Sequence, residues 1–229
     1  MLGEFVGLVI LSLKTRLWEY AEEGRVRRQF YSHRSFKQVD QSLKKLYRFR
    51  SPFEISKQFL VRKGMVDVHC YGETPLSTLD TMAKKAGLSK QDRFLELGCG
   101  RGRSLFFLAS MYGCRVSGVE WIPEFILKSF DIAKRYSALP ISFYLADMCR
   151  FPLDGASVIY LYGTCLSDEV IVSLAERMKR LPSHVKIITV SYPLSDYQPD
   201  SFTIIDQFSA SFNWGVADVF IQTPSPSAP

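Results

Sequence analysis

"DRFLELGCGRGRSLFFLA", residues 92–109, is the stretch on which the fold turns. Phe94, Leu95 and Leu97 read as a short buried strand, Gly98, Gly100 and Gly102 as a turn, and the apolar run that follows as a helix over 102–112. A turn with so little side chain lets a ligand approach the backbone closely. Outward from this stretch the same alternation repeats. A helix over 75–88, closed by Gly87, precedes it. After it come strand 115–120, helix 123–137, strand 141–147, strand 156–163, helix 167–180 and strand 185–193. Two strands near 202–208 and 216–222 close the pattern with no helix between them. Strands alternating with helices predict an α/β fold with a seven-stranded, mostly parallel sheet covered on both faces. The closing pair predicts a hairpin that makes one strand antiparallel. "TPSPSAP" (223–229) reads as a disordered tail, and the chain shows no internal repeat.

In such a sheet, ligands sit outside the carboxyl ends of the strands. Gly98, Gly100 and Gly102 hold that place after the first strand. Glu120 ends the second strand, 22 positions after Gly98, where a carboxylate can take the hydroxyls of a ribose. Asp147 ends the third, where it can meet an adenine amino group, and Met148 beside it is either core filling or a flat contact to that base. A dinucleotide fingerprint would space its glycines G-x-G-x-x-G; here the third comes one residue early. Glu96, just before the turn, would repel a pyrophosphate but attract the ammonium of a methionine moiety. Together these residues point to S-adenosylmethionine.

The core resembles the class I S-adenosylmethionine-dependent methyltransferases, with "ELGCGRG", "GVE" and "LAD" as their first three motifs, over about residues 70–222. The resemblance implies a Rossmann-like sheet. "CYGETPLSTL" (70–79) is similar to the cofactor loop of the non-SET histone H3 lysine methyltransferases, which implies that Tyr71, Glu73 and Thr74 face the cofactor. "SYPLSDYQP" and the late "FNWGVADVFI" resemble the mitochondrial lysine methyltransferases of ATP synthase subunit c. Histone-directed members carry an asparagine pair after the fourth strand. This chain has Tyr162-Gly163 there, so that contact does not carry over.

Methyl transfer needs positioning more than acid–base help. A lysine acceptor must first lose its proton, which costs about 4–5 kcal/mol at pH 7 from an ordinary pKa near 10.4. An aromatic slot lowers that cost by disfavouring the ammonium. Tyr71, Tyr162, Tyr192 and Trp214 fall on loops or strand ends, and Tyr71, Tyr162 and Trp214 are the expected acceptor-binding and catalytic set. Arg103 reads as a solvated helix residue in preference to a partner for the cofactor carboxylate, and His184 begins the fifth strand at the end away from the site. The expected activity is therefore protein lysine methylation. The alternatives are a small-molecule or RNA methyltransferase, or a non-catalytic cofactor-binding module.

The chain has 229 residues and a formal net charge of +6, unevenly spread. Residues 1–64 hold 14 Lys and Arg against 6 Asp and Glu, whereas the remainder holds 15 against 17. This segment is expected to form helices, the third opened by Ser51, Pro52 and Glu54 and ended by Gly64. The run from Phe5 to Leu13 is too short to span a bilayer, which takes about 20 residues. Val6, Val9, Ile10, Leu13 and Leu17 recur at helical spacing, a stripe that either packs on the body or lies on a membrane. A basic arm suits a protein substrate or a peripheral membrane contact; nucleic acid ranks below these. Five cysteines without a C-x-x-C pair and three scattered histidines suggest no metal site. They fit a reducing, cytoplasmic setting, with or without that membrane contact.

Overall fold

The computed structural model describes residues 2–226, and their side chains from Lys14 onward. Three helices come first: α1 (Leu2–Phe30), α2 (Arg34–Leu46) and α3 (Pro52–Arg62). The alternating part follows as α4 (Leu76–Lys85), β1 (Arg93–Leu97), α5 (Arg103–Met111), β2 (Arg115–Glu120), α6 (Pro123–Arg135) and β3 (Ile141–Leu145). It continues as β4 (Val158–Leu161), α7 (Asp168–Met178), β5 (Lys186–Val190), β6 (Phe202–Phe212) and β7 (Gly215–Pro224).

The seven strands form one sheet in the order β3-β2-β1-β4-β5-β7-β6. The five inner and left-hand strands run parallel, while β7 is antiparallel to both β5 and β6. Chain direction across the sheet reverses between β1 and β4, and the crevice at that switch point opens beside the glycine turn. Alternate residues of the central strands feed two cores. Phe94, Val116, Val158 and Ile188 pack under α2, α4, α5 and α6. Leu95, Leu97, Ile159 and Ile187 pack under α7.

The expected alternation and the antiparallel closing strand are both present. β3, β4 and β5 are shorter than the strands expected over 141–147, 156–163 and 185–193, and the closing pair is longer. β6 continues to Phe212, so the hairpin turns at Asn213-Trp214 and reaches beyond the edge of the sheet. Thr223 and Pro224, read as tail, belong to β7, paired with Thr203 and Phe202. The amide of Ser225 donates to the Ser201 carbonyl at 2.9 Å. Residues 227–229 lie outside the described residues.

The N-terminal helices are part of the body rather than an arm. Phe36, Val39 and Leu43 of α2 are fully buried in the same core as Phe106, Phe107 and Phe125. Arg103, read as solvated, is instead largely enclosed and paired. Its guanidinium donates to Asp40 of α2 at 2.7 Å and to Glu23 of α1 at 3.1 Å, and Lys44 also pairs with both acids. Burial alone would raise the Asp40 carboxyl, but Arg103 and Lys44 hold it far below the usual carboxylate range. Half of the expected capping box of α3 is present: Ser51 Oγ accepts the Glu54 amide at 3.2 Å, while the Glu54 carboxylate accepts from Gln58 at 3.3 Å; Gly64 follows the helix at φ +69°. Val6, Val9, Ile10 and Leu13 lie outside the residues whose side chains are described, while Leu17 is exposed. Among the described residues, no helix is long and apolar enough to cross a membrane.

Candidate active site

Gly98, Gly100 and Gly102 all have positive φ, between 52° and 81°, which is why the turn takes glycine at each. What each missing side chain makes room for differs. A Cβ on Gly98 would stand 3.6 Å from the methyl of Met148, and one on Gly100 would meet the Tyr71 ring at 3.0 Å. Gly98 thus keeps the more open face, while at Gly100 the Tyr71 ring fills the place a side chain would take. At Gly102 a Cβ would fall 2.5 Å from the Phe143 ring, so that glycine serves helix-to-sheet packing and N-caps α5 rather than facing a ligand.

Three carboxylates stand at the strand ends. Glu96 is buried on β1 and accepts the Ser104 hydroxyl. Burial pushes it up to about 8, against the opposing pull of that hydroxyl. Glu120 is fixed by three amides: Oε1 accepts from Trp121 at 2.8 Å and Ile122 at 2.9 Å, and Oε2 accepts from Gly100 at 2.9 Å. Burial raises its pKa, and the amide bonds pull the other way. Two bonds occupy Oε1, so Oε2 keeps the open lone pair. Asp147 lies two residues beyond β3, mostly exposed, with Oδ1 accepting the Cys149 amide at 2.9 Å.

The loop before α4 runs over this turn. Tyr71 packs edge-on against Phe53 and at a tilt against Phe125, above Gly100, and its hydroxyl donates to Glu73. Glu73 is clasped by Arg101, with Nη2 to Oε2 at 2.8 Å. Burial would raise Glu73, yet the guanidinium keeps it below its ordinary value. Thr74 bonds the buried phenol of Tyr160 instead of capping α4; Pro75 is the N-cap, with no side-chain bond to offer.

The expected aromatic set divides. Tyr162 and Trp214 come together through Phe212, in a row of near-parallel rings with centroids 5.6 Å and 5.3 Å apart. Trp214 Nε1 donates to the Tyr162 hydroxyl at 2.7 Å. Gly72 lies against that ring, where a Cβ would be 3.1 Å from Tyr162. Tyr71 belongs to the glycine turn, on the other side of Gly72, not to the row. Tyr192 sits behind Gly163, its ring against Tyr197. Arg101, Ser104, Tyr160 and Phe212 were not anticipated. Phe212 alone had a signal, the alternation with Trp214 across a hairpin turn. Among the described residues no cluster of three or more His, Cys, Asp or Glu could hold a metal.

These residues fit S-adenosylmethionine. The bare backbone at Gly98 leaves room for the adenosyl group, and the open Oε2 of Glu120 suits a ribose hydroxyl. Glu96, buried with no cationic partner on its carboxylate among the described residues, suits an ammonium. Residues 94–183 match the family model described as a methyltransferase domain. The histone-lysine N-methyltransferase, H3 lysine-79 specific, of Dictyostelium discoideum is 26% identical over 144 residues, 56% of this chain. The chain spans 8% of the length of that relative. Among solved structures, an RNA methyltransferase from Salinibacter ruber in complex with S-adenosyl-L-homocysteine aligns with TM-score 0.54 and 22% identity, over 69% of this chain and 95% of that one. A variant of MtNAS in complex with S-adenosylmethionine aligns with TM-score 0.56 and 15% identity, over 88% and 77%. At these identities the solved structures establish the class I methyltransferase fold, and residues 94–183 match a methyltransferase domain within it.

Proposed function

We propose that the protein transfers a methyl group to the side-chain amine of lysine in a protein substrate. The observation that carries this reading is the row Tyr162–Phe212–Trp214, set beside Gly72 of the cofactor loop. Trp214 is half exposed, so the row has an outer end open to a substrate. The likeness to a lysine methyltransferase over 144 residues supports the same acceptor.

S-adenosylmethionine, when bound, supplies an electrophilic methyl group on a cationic sulfur. The chain supplies position and a dry environment. Glu96, Glu120 and Asp147 hold the cofactor's amino-acid, ribose and base ends, with Tyr71 and Met148 as apolar walls. The faces of Tyr162, Phe212 and Trp214 attract the incoming ammonium by cation–π contact, worth about 0.5–2 kcal/mol. Once the amine is neutral, the same apolar surface favours it over its charged form. No Asp, Glu or His belongs to the row, so the proton leaves through water, and turnover should rise between pH 7 and 9.

Incubation of the protein with tritiated S-adenosylmethionine and cell lysate tests this. Label should enter protein and appear as methyl-lysine on hydrolysis. Label confined to RNA or to small molecules would end the lysine reading and leave the domain assignment standing.

A further inference from the structure

The amino end of α4 has an unusual cap. Its N-cap is Pro75, which has no side chain able to bond the orphan amides of the first turn. The acceptor comes instead from α1, 55 residues away. Glu22 Oε1 takes the amide of Ser77 at 2.9 Å, and Oε2 takes the Ser77 hydroxyl at 2.7 Å. Arg25, one turn further along α1, steadies the same carboxylate at 2.9 Å. Glu22 is almost fully buried. A negative side chain at a helix amino end is favoured by both the amide and the helix dipole.

The cofactor loop runs straight into this helix. Thr74, tied to Tyr160, and Glu73, tied to Arg101, stand three and four residues before Ser77. These ties fix the loop from the sheet side, and Glu22 fixes it from the other. The same face of α1 borders a cleft of about 390 Å³, lined by Trp18, Glu22, Phe53, Glu73, Thr74 and Arg101 among others. We propose that Glu22 is a positioning residue: by capping α4 from a separate helix, it makes α1 part of the cofactor site. Residues 1–64 then act in binding the cofactor, a role nothing in their composition suggests. The inference rests on the cofactor assignment above.

Calorimetry of the full chain with S-adenosylmethionine tests it, beside thermal melts. Glu22→Ala should weaken binding roughly 3- to 30-fold, the range that loss of a helix cap supports. Glu22→Gln keeps an acceptor for the amide and should stay within about 3-fold of wild type. Val26→Ala, a core truncation on the same helix, controls for lost stability. A folded Glu22→Ala of unchanged affinity would overturn the proposal, and so would an equal loss in Val26→Ala. If Glu22→Ala does not fold, Ser77→Ala removes one of the two bonds and should still weaken binding measurably; an unchanged affinity overturns the proposal. Wild-type chain that fails to bind the cofactor overturns the cofactor assignment and this inference with it.

Discussion

Glu96 is a carboxyl group whose proton should report the cofactor. Its ordinary value of 4.5 is raised by burial to about 8. Between those pH values the folded chain keeps a proton that the unfolded chain releases. The stability this group contributes is therefore full at low pH and is lost as pH rises through about 8. An ammonium placed against Glu96 favours the ionised form, so binding expels the proton. Cofactor affinity should accordingly increase from pH 6 to pH 8, by up to about tenfold per unit. Calorimetry in buffers of different ionisation enthalpy reads both the affinity and the released proton. Affinity that is flat over this range, with no proton released, would remove Glu96 from the amino-acid end. Glu120 calls for a gentler substitution than alanine, because Glu120→Ala would strand three amides, each costing about 1–3 kcal/mol. Glu120→Gln keeps an acceptor oxygen and loses the charge. It should bind S-adenosylmethionine about tenfold more weakly, since a charge-assisted hydrogen bond is worth about 1.5–3 kcal/mol and a neutral one roughly half that. Wild-type affinity in Glu120→Gln would argue against the ribose contact.

Among the elements, the β6–β7 hairpin carries two rings of the proposed acceptor wall at its tip. Phe212 ends β6, and Trp214 stands in the turn, so the row depends on a hairpin that reaches past the sheet edge. Trp214 is tied to the body by its bond to Tyr162 and by stacking on Phe212. Trp214→Ala should leave cofactor affinity near wild type and lower turnover on a protein acceptor by about 3- to 30-fold, the size of a lost cation–π contact. A loss of cofactor affinity with turnover of bound enzyme unchanged would move the row from acceptor to cofactor. The alternation of strands and helices was legible because buried parallel strands are short apolar runs and each helix has an apolar face, as in RFLEL and LFFLA. The hairpin's extension to Phe212 was not, because polar Ser209 and Ser211 break the apolar signal on an exposed ribbon. The integration of α2 was hidden for a related reason. Asp40 and Lys44 look like a solvated face, and only the enclosed Arg103 on a distant helix explains them.

At the scale of the whole molecule, the charges of residues 1–64 are tied to the rest of the chain by pairs in both directions. Arg50 pairs with Glu124 of α6, while Arg103 of α5 takes Asp40 and Glu23. Charge counting along a sequence cannot see this, because the partners are distant in the chain or share a face only after folding. The strand-end acids were legible for the opposite reason: strand ends in a parallel sheet converge on one crevice whatever the loops do. Tyr71 was harder to assign, since its neighbours Gly100 and Phe125 come from two other segments. The account makes one body of the N-terminal helices, the cofactor loop and the glycine turn. Hydrogen–deuterium exchange on the full chain, with and without S-adenosylmethionine, tests that most directly. The predicted result is added protection at 71–77, 98–102 and 120–122, together with α1 around Glu22. Unchanged exchange at the glycine turn and the loop, at saturating cofactor, would contradict it.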